Sequence, residues 1–257
     1  MIELQIAGDI AEVVLCAPEK RNAVDEAALH ALADAYTEAE RAGVRALVLR
    51  GEGKAFCAGR DISQVDPRTD DASGFMRGAL QPLLEQMAAF PAPTFAVAHG
   101  ACLGVGLGLL IATDVVYVAE SAKLGSPFAA LGATLDSGGH ALLFERLGAH
   151  RAFDLIYSGR LLSGAEAVAA GLFSQSFPDD EVLEATRAAA AHAAQGPTLA
   201  FLATKEIMRG LRDDRQGLWR SVEAENAAQV ELAQSSDFRE GFEAFQQKRQ
   251  PRFTGRG

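Results

Sequence analysis

The chain has 257 residues, 49% of them hydrophobic and 23% charged, which allows one full core with a small appended region and argues against wholesale disorder. Its formal net charge of −10 argues against a nucleic-acid surface, and means that an anionic ligand must be held by a local basic cluster. Three cysteines, Cys16, Cys57 and Cys102, with no C-x-x-C spacing, argue against a zinc site or a disulfide framework and fit a reducing cytoplasm.

Met1-Ile2-Glu3-Leu4 lacks the basic stretch and apolar core of a signal peptide, so a cytoplasmic location is expected. Residues 4–6 and 11–15 read as strands around the turn Gly8-Asp9. Lys20-Arg21-Asn22-Ala23 is a polar loop, Asp25 a candidate N-cap, and 26–42 an amphipathic helix ending at Gly43. Residues 44–50 form an apolar, β-branched strand, and the run Ala55-Phe56-Cys57-Ala58-Gly59-Arg60-Asp61 comes after it. The polar stretch 66–74 reads as a flexible segment and 75–89 as a helix. Pro91-Ala92-Pro93 breaks the chain before a buried strand at 94–99.

A second run, His99-Gly100-Ala101-Cys102-Leu103-Gly104-Val105-Gly106-Leu107-Gly108, opens a small-residue helix over 104–113, and 114–119 is the next strand. Residues 94–118 are the longest apolar region, but His99, four glycines and Asp114 interrupt it, so it reads as core and not as a membrane span. From Ser137 onward helices are expected at 139–147, 151–158, 164–170, 179–194, 197–211, 216–229 and 236–248, ahead of the basic tail Lys248-Arg249-Gln250-Pro251-Arg252-Phe253. The strand–turn–helix–strand alternation implies α/β architecture. No linker separates independent domains; residues 1–195 are expected to form the strand-bearing core and 196–257 a helical C-terminal region.

The two runs carry the chemistry. Each comes after a strand-like segment and puts small residues where the backbone must turn sharply. Such turns can aim amide N–H groups into one space. A pair of aimed N–H groups holds a carbonyl oxygen as it becomes an anion, an effect worth about 3–4 kcal/mol per donor. The competing reading is that the glycines only fit tight turns and helix–sheet packing. If the two loops meet, the chain activates a carbonyl compound.

Arg21-Asn22-Ala23-Val24, then Ala55 to Ile62, then the glycine cluster 100–108, then Asp136-Ser137-Gly138-Gly139, in that order and spacing, resemble the enoyl-CoA hydratase/isomerase (crotonase) superfamily. The closing Glu240-Gly241-Phe242-Glu243-Ala244-Phe245-Gln246-Gln247-Lys248-Arg249 also fits, so the resemblance spans essentially the whole chain. It implies a spiral of repeated ββα units with a C-terminal helical region that trimerises, as a trimer or a dimer of trimers. It implies an acyl-CoA thioester as substrate, with coenzyme A part of that substrate and no separate cofactor; from composition and charge no metal, nucleic-acid or membrane partner is expected. The oxyanion donors it implies are the amides of Arg60 and Val105. Family members usually have Gly at the latter position; Val keeps the N–H and is expected to narrow the pocket. Asn22, Ala23, Ala58, Arg60 and Ile62 would line the pantetheine and adenine pocket, with Asp61, Gly104 and Phe128 also at the site. Phe245 and Lys248 would reach a neighbour's coenzyme A, and Lys248, Arg249 and Arg252 would meet its phosphates; a solvated basic tail is the plainer alternative.

A thioester carbonyl delocalises poorly over sulfur, so its α-protons are acidic and their removal places charge on the oxygen that the two amides would hold. The fate of that enolate depends on the nearby acids and bases. Hydratases of this family use two glutamates; the corresponding positions here are Gly108 and, in Gly125-Ser126-Pro127-Phe128, Phe128. Neither residue transfers a proton. In isomerase branches such as the ring-1,2-epoxyphenylacetyl-CoA and Δ3,Δ2-enoyl-CoA isomerases, an aspartate at the place of Asp136 does so. A single carboxylate suits a 1,3-proton shift, and apolar Phe128, Val105 and Leu135 would raise its pKa. Asp136 also reads as a simple helix N-cap, unless Ser137 supplies the cap.

Several other readings stay open. Hydration would need water held by Asp136 or His140, the latter also reading as an outward-facing helix residue. Asp136 as a nucleophile would match the aryl-CoA dehalogenase branch, which has tryptophan where this chain has Phe128. A non-catalytic acyl-CoA-binding protein is the alternative from another class. His99 reads as a core histidine, Cys57 and Cys102 as packing residues, and Asp61 as a loop-fixing carboxylate.

Overall fold

The computed structural model describes residues 1–63, 65, 71–128, 135–213, 236–237, 240, 244, 247 and 249–255. Strands β1 (Ile2–Ala7) and β2 (Ile10–Leu15) form an antiparallel hairpin around Gly8, whose φ of +59° suits glycine. Parallel strands β3 (Ala46–Gly51), β4 (Thr94–Ala98), β6 (Val115–Ala119) and β9 (Gln175–Phe177) extend it to a sheet of order β1-β2-β3-β4-β6-β9. Every residue of β4 is buried, as expected of a parallel strand covered on both faces. A second sheet joins β5 (Ala101–Leu103), β7 (Lys123–Gly125) and β8 (Leu162–Ser163), with β5 and β7 parallel and β8 antiparallel.

Helix α1 (Glu26–Arg41) starts at Asp25, whose carboxylate accepts the Ala28 N–H at 2.8 Å, and buries Leu29, Leu32, Ala35, Tyr36 and Ala39. The expected helix at 75–89 is two pieces, a π-helical run Gly74–Leu80 and helix α2 (Gln81–Ala88). The change falls between Leu80 and Gln81, and Pro82, in the first turn of α2, has no N–H to continue the ladder. Helix α3 (Val105–Ile111) comes after β5; α4 (Gly139–Leu147), α5 (Ala149–Ser158), α6 (Gly164–Ala169), α7 (Val182–Ala194) and α8 (Thr198–Asp213) lie further along the chain. Helix α7 packs on β3 and β4.

The second half is not all helical. β8 and β9 are two and three residues long, too short for a periodic signal, and their partners Leu124 and Tyr117–Ala119 lie far back in the chain. The helix expected at 216–229, most of 236–248 and residues 66–70 of the polar segment lie outside the described residues. Among the described residues no helix is long and apolar enough to cross a membrane.

Candidate active site

Asn22 organises the first loop. It is 1% exposed and holds a φ of +56°. Its Oδ1 accepts the Ala17 N–H at 2.8 Å, and its Nδ2 donates to the carbonyls of Glu52 at 2.9 Å and Ala55 at 2.7 Å. The turn leaving β3 is thereby tied to the loop at 17–22. On one side the Ala58 N–H donates to Arg21 O (3.0 Å), Val24 N–H to Gly59 O (2.9 Å) and Asp61 N–H to Val24 O (2.8 Å). On the other, Phe56 N–H donates to His99 O (2.8 Å), Cys57 N–H to Ala101 O (3.0 Å) and Leu103 N–H to Cys57 O (3.0 Å). The two signature loops therefore meet, along a parallel bridge between Cys57 and Cys102.

Gly59 sits at the junction with a φ of +103°. A Cβ there would stand 3.0 Å from Leu103 O and 3.8 Å from Val105 N. Glycine is required both by the dihedral and by the approach. Arg60 is the next residue, and Val105 begins α3, so its amide is one of the first-turn N–H groups that find no carbonyl within the helix. Gly104 turns the chain into that helix with φ +51° and donates its N–H to Gly125 O at 3.1 Å. The Phe128 ring lies against it; a Cβ on Gly104 would stand 2.9 Å from Phe128 Cζ.

One turn further along α3, Gly108 faces Ser137. A Cβ on Gly108 would overlap the Ser137 Cβ and stand 2.9 Å from its Oγ. Ser137 holds a φ of +55° and donates its hydroxyl to Asp136 Oδ1 at 2.8 Å. Asp136 is half-buried, and burial raises its pKa against the lowering effect of the Ser137 hydrogen bond. Neither side chain caps α4. Its N-cap is Gly138, with no side-chain hydrogen bond, so the capping reading of Asp136 and Ser137 does not hold.

The chain is similar to known proteins over nearly its whole length. The family model described as enoyl-CoA hydratase/isomerase matches residues 5–256. The chain belongs to the enoyl-CoA hydratase/isomerase family. A Rhodobacter capsulatus protein named "Probable enoyl-CoA hydratase" is 37% identical over 99% of this chain and 98% of its own. The 1,2-epoxyphenylacetyl-CoA isomerase of Escherichia coli is 32% identical over 93% and 92%. The crystal structure of an enoyl-CoA hydratase from Bacillus anthracis, 28% identical, superposes with a TM-score of 0.89 over 99% of each chain. The architecture is the crotonase fold of that family.

The other residues expected at the site of this family member are spread along the same loops. The Val105 side chain belongs to the buried core cluster. The Arg60 guanidinium lies over the Phe75 ring, 4.1 Å from its centroid, a contact between residues 15 positions apart that no local pattern announces. Asp61 Oδ1 accepts the Ser63 N–H (3.0 Å) and hydroxyl (2.6 Å), and Oδ2 accepts Lys20 Nζ (2.9 Å). Those bonds, the Ser63 hydroxyl first, hold its carboxyl well below the usual carboxylate range. Ala23 and Ala58 are half-buried beside them, and Ile62 is exposed.

His140 is exposed on the first turn of α4. His99 is half-buried with Nε2 3.2 Å from Gly53 O. Burial pushes the Cys57 thiol up to about 12 and raises that of Cys102, which leaves both as packing groups and not nucleophiles. Arg249 is engaged by Glu240 at 2.6 and 2.9 Å, so this member of the basic tail is held by a carboxylate of its own chain. Phe245 and Lys248 lie outside the described residues. The contact that sequence reasoning missed is that of Ser137, read only as a cap, with Gly108, 29 positions away; only the tertiary structure brings the two together.

Proposed function

We propose that the protein is an isomerase of enoyl-CoA thioesters, carrying out double-bond or ring isomerisation by proton transfer through Asp136. One observation carries the choice over hydration: the two positions at which a hydratase of this family bears glutamates are Gly108, with Ser137 packed against it, and Phe128, whose ring covers Gly104. A half-buried Asp136 with a raised pKa is suited to taking a proton from one carbon and returning it to another. This reading assigns the amides of Arg60, which follows Gly59, and Val105, the first residue of α3, as the donors for the thioester oxygen as it gains charge; the close approach of Gly59 to Leu103 O and Val105 N supports it. Coenzyme A is part of the substrate, and no further cofactor enters the scheme.

The similarity to an epoxyphenylacetyl-CoA isomerase supports this reading. A group of exposed rings supports a homo-oligomer: Phe144, Phe153 and Tyr157 on α4 and α5 are 57%, 52% and 74% exposed, with Phe153 and Tyr157 stacked. The deciding experiment supplies 3-enoyl-CoA and 2-enoyl-CoA to the wild type and to Asp136→Ala. Isomerisation lost in the variant is expected. Isomerisation undiminished in it, or hydration of 2-enoyl-CoA at ordinary enzyme rates by the wild type, overturns the assignment.

A further inference from the structure

We propose that Ser137 is a positioning residue for this chemistry: its side chain takes up the volume that any side chain at position 108 would need, and its hydroxyl fixes one oxygen of Asp136. The inference rests on the isomerase reading for its functional meaning, but its physical content stands on contacts alone. Ser137 holds a left-handed backbone conformation, at φ +55°, which L-residues with a Cβ seldom adopt. That conformation turns Cβ and Oγ toward α3, where a Cβ on Gly108 would overlap Ser137 Cβ. From there Oγ reaches back 2.8 Å to Asp136 Oδ1. The Gly139 N–H holds the Asp136 carbonyl at 2.9 Å, and Leu135, next in the chain, is buried. The Asp136 backbone and one carboxylate oxygen, Oδ1, are therefore both held in place.

A carboxylate-bearing side chain at 108 is incompatible with serine at 137, so glycine at 108 and serine at 137 exchange volume as a pair. The hydroxyl also favours the charged form of Asp136, opposing burial, and so sets the pH at which the group is able to accept a proton.

The test uses the full-length protein and two independent readouts. Difference infrared titration against Asp136→Asn tracks the protonated carboxyl of Asp136 directly. In Ser137→Ala its midpoint is expected to rise by about one on the pH scale, the usual effect of losing a hydrogen bond to a charged group. The acid limb of the isomerisation rate is expected to rise with it, with KM little changed. The second readout is a thermal-unfolding cycle of Gly108→Ala, Ser137→Gly and the double variant. Gly108→Ala alone is expected to lower Tm, and Ser137→Gly to restore most of that loss. A midpoint unchanged in Ser137→Ala, or additive Tm effects in the cycle, overturns the proposal. A shifted midpoint in a protein that isomerises no 3-enoyl-CoA upholds Ser137 and rejects the isomerase reading, so the two failures are distinguishable.

Discussion

Asn22 Nδ2 donates to the carbonyl of Ala55 across 33 positions of sequence, at 2.7 Å and out of reach of solvent. The same side chain holds Ala17 N–H and Glu52 O. One residue thereby joins the loop before α1 to the loop after β3.

Asn22→Ala removes all three hydrogen bonds and leaves two carbonyls and one N–H to find new partners. The expected cost is about 2–4 kcal/mol, since unsatisfied buried groups cost more than a hydrogen bond gains. Asn22→Gly tolerates the φ of +56° but restores none of the bonds, so it should recover only the smaller, strain-related part. Urea unfolding at neutral pH measures both. Equal stability of Asn22→Ala and wild type would show that the loops do not depend on this residue.

Gly59→Ala acts closer to the chemistry. The new Cβ meets Leu103 O at 3.0 Å, in a residue already at φ +103°, and the relief is to move Arg60 away from Val105. If their amides act together, the loss falls on kcat and not on KM. Each tenfold loss corresponds to about 1.4 kcal/mol, and one weakened donor is worth roughly ten- to a hundredfold. Steady-state kinetics with 3-enoyl-CoA, alongside a Tm that confirms folding, separates this from general destabilisation.

Asp136 gives a prediction about pH with a definite sign. Its pKa is raised in the folded protein, chiefly by burial. Folding therefore favours the protonated form. The stability this contributes is full below the unfolded pKa of about 3.9 and is lost as pH rises through the folded value. Asp136→Asn removes the cost of burying the charge, so it should match the wild type in acid and exceed it in stability at about pH 7, while isomerisation is lost. Denaturant unfolding of the two proteins at about pH 4 and pH 7 checks this; a variant less stable than wild type at the higher pH would contradict it.

The site was legible in sequence wherever its geometry is local. Asp25 caps α1, the Gly8 turn closes the hairpin, and the second glycine-bearing run turns from strand into helix at Gly104 as its residue types require. The departures Gly108 and Phe128 were equally visible, because they are substitutions at marked places in a resemblance. The rest was not legible because it depends on pairs distant in sequence. The three-residue strands β5, β7 and β9 are specified by their partners and not by an internal period. Arg60 lies over Phe75, and Ser137 fills the space beside Gly108, only after the chain has closed on itself.

The clamp around Glu12 is of this kind, and it yields the last prediction. Glu12 on β2 takes Arg187 of α7 at 2.6 Å through Oε1 and Arg50 of β3 at 3.0 Å through Oε2. The Arg187 hydrogen bond is the largest influence lowering the Glu12 pKa, with burial opposing it and Arg50 adding to it. The sign is opposite to that of Asp136. The stability contributed is full above the unfolded pKa of about 4.3 and is lost as pH falls through the folded value. Glu12→Gln keeps the shape but not the charge, and leaves Arg50 with Glu52 and Arg187 with Glu184. The expected cost at neutral pH is about 1–3 kcal/mol, below the figure for a fully buried pair because solvent screens its outer edge. Glu12→Gln should approach the wild type as pH falls from about 4.3, where the unfolded carboxylate takes up a proton, through the lower folded value. Because β2 and α7 meet here, the loss should appear mainly as faster unfolding of α7 in hydrogen exchange. A gap between the two proteins that stays constant from neutral pH to acid would mean that packing, not charge, holds this helix to the sheet.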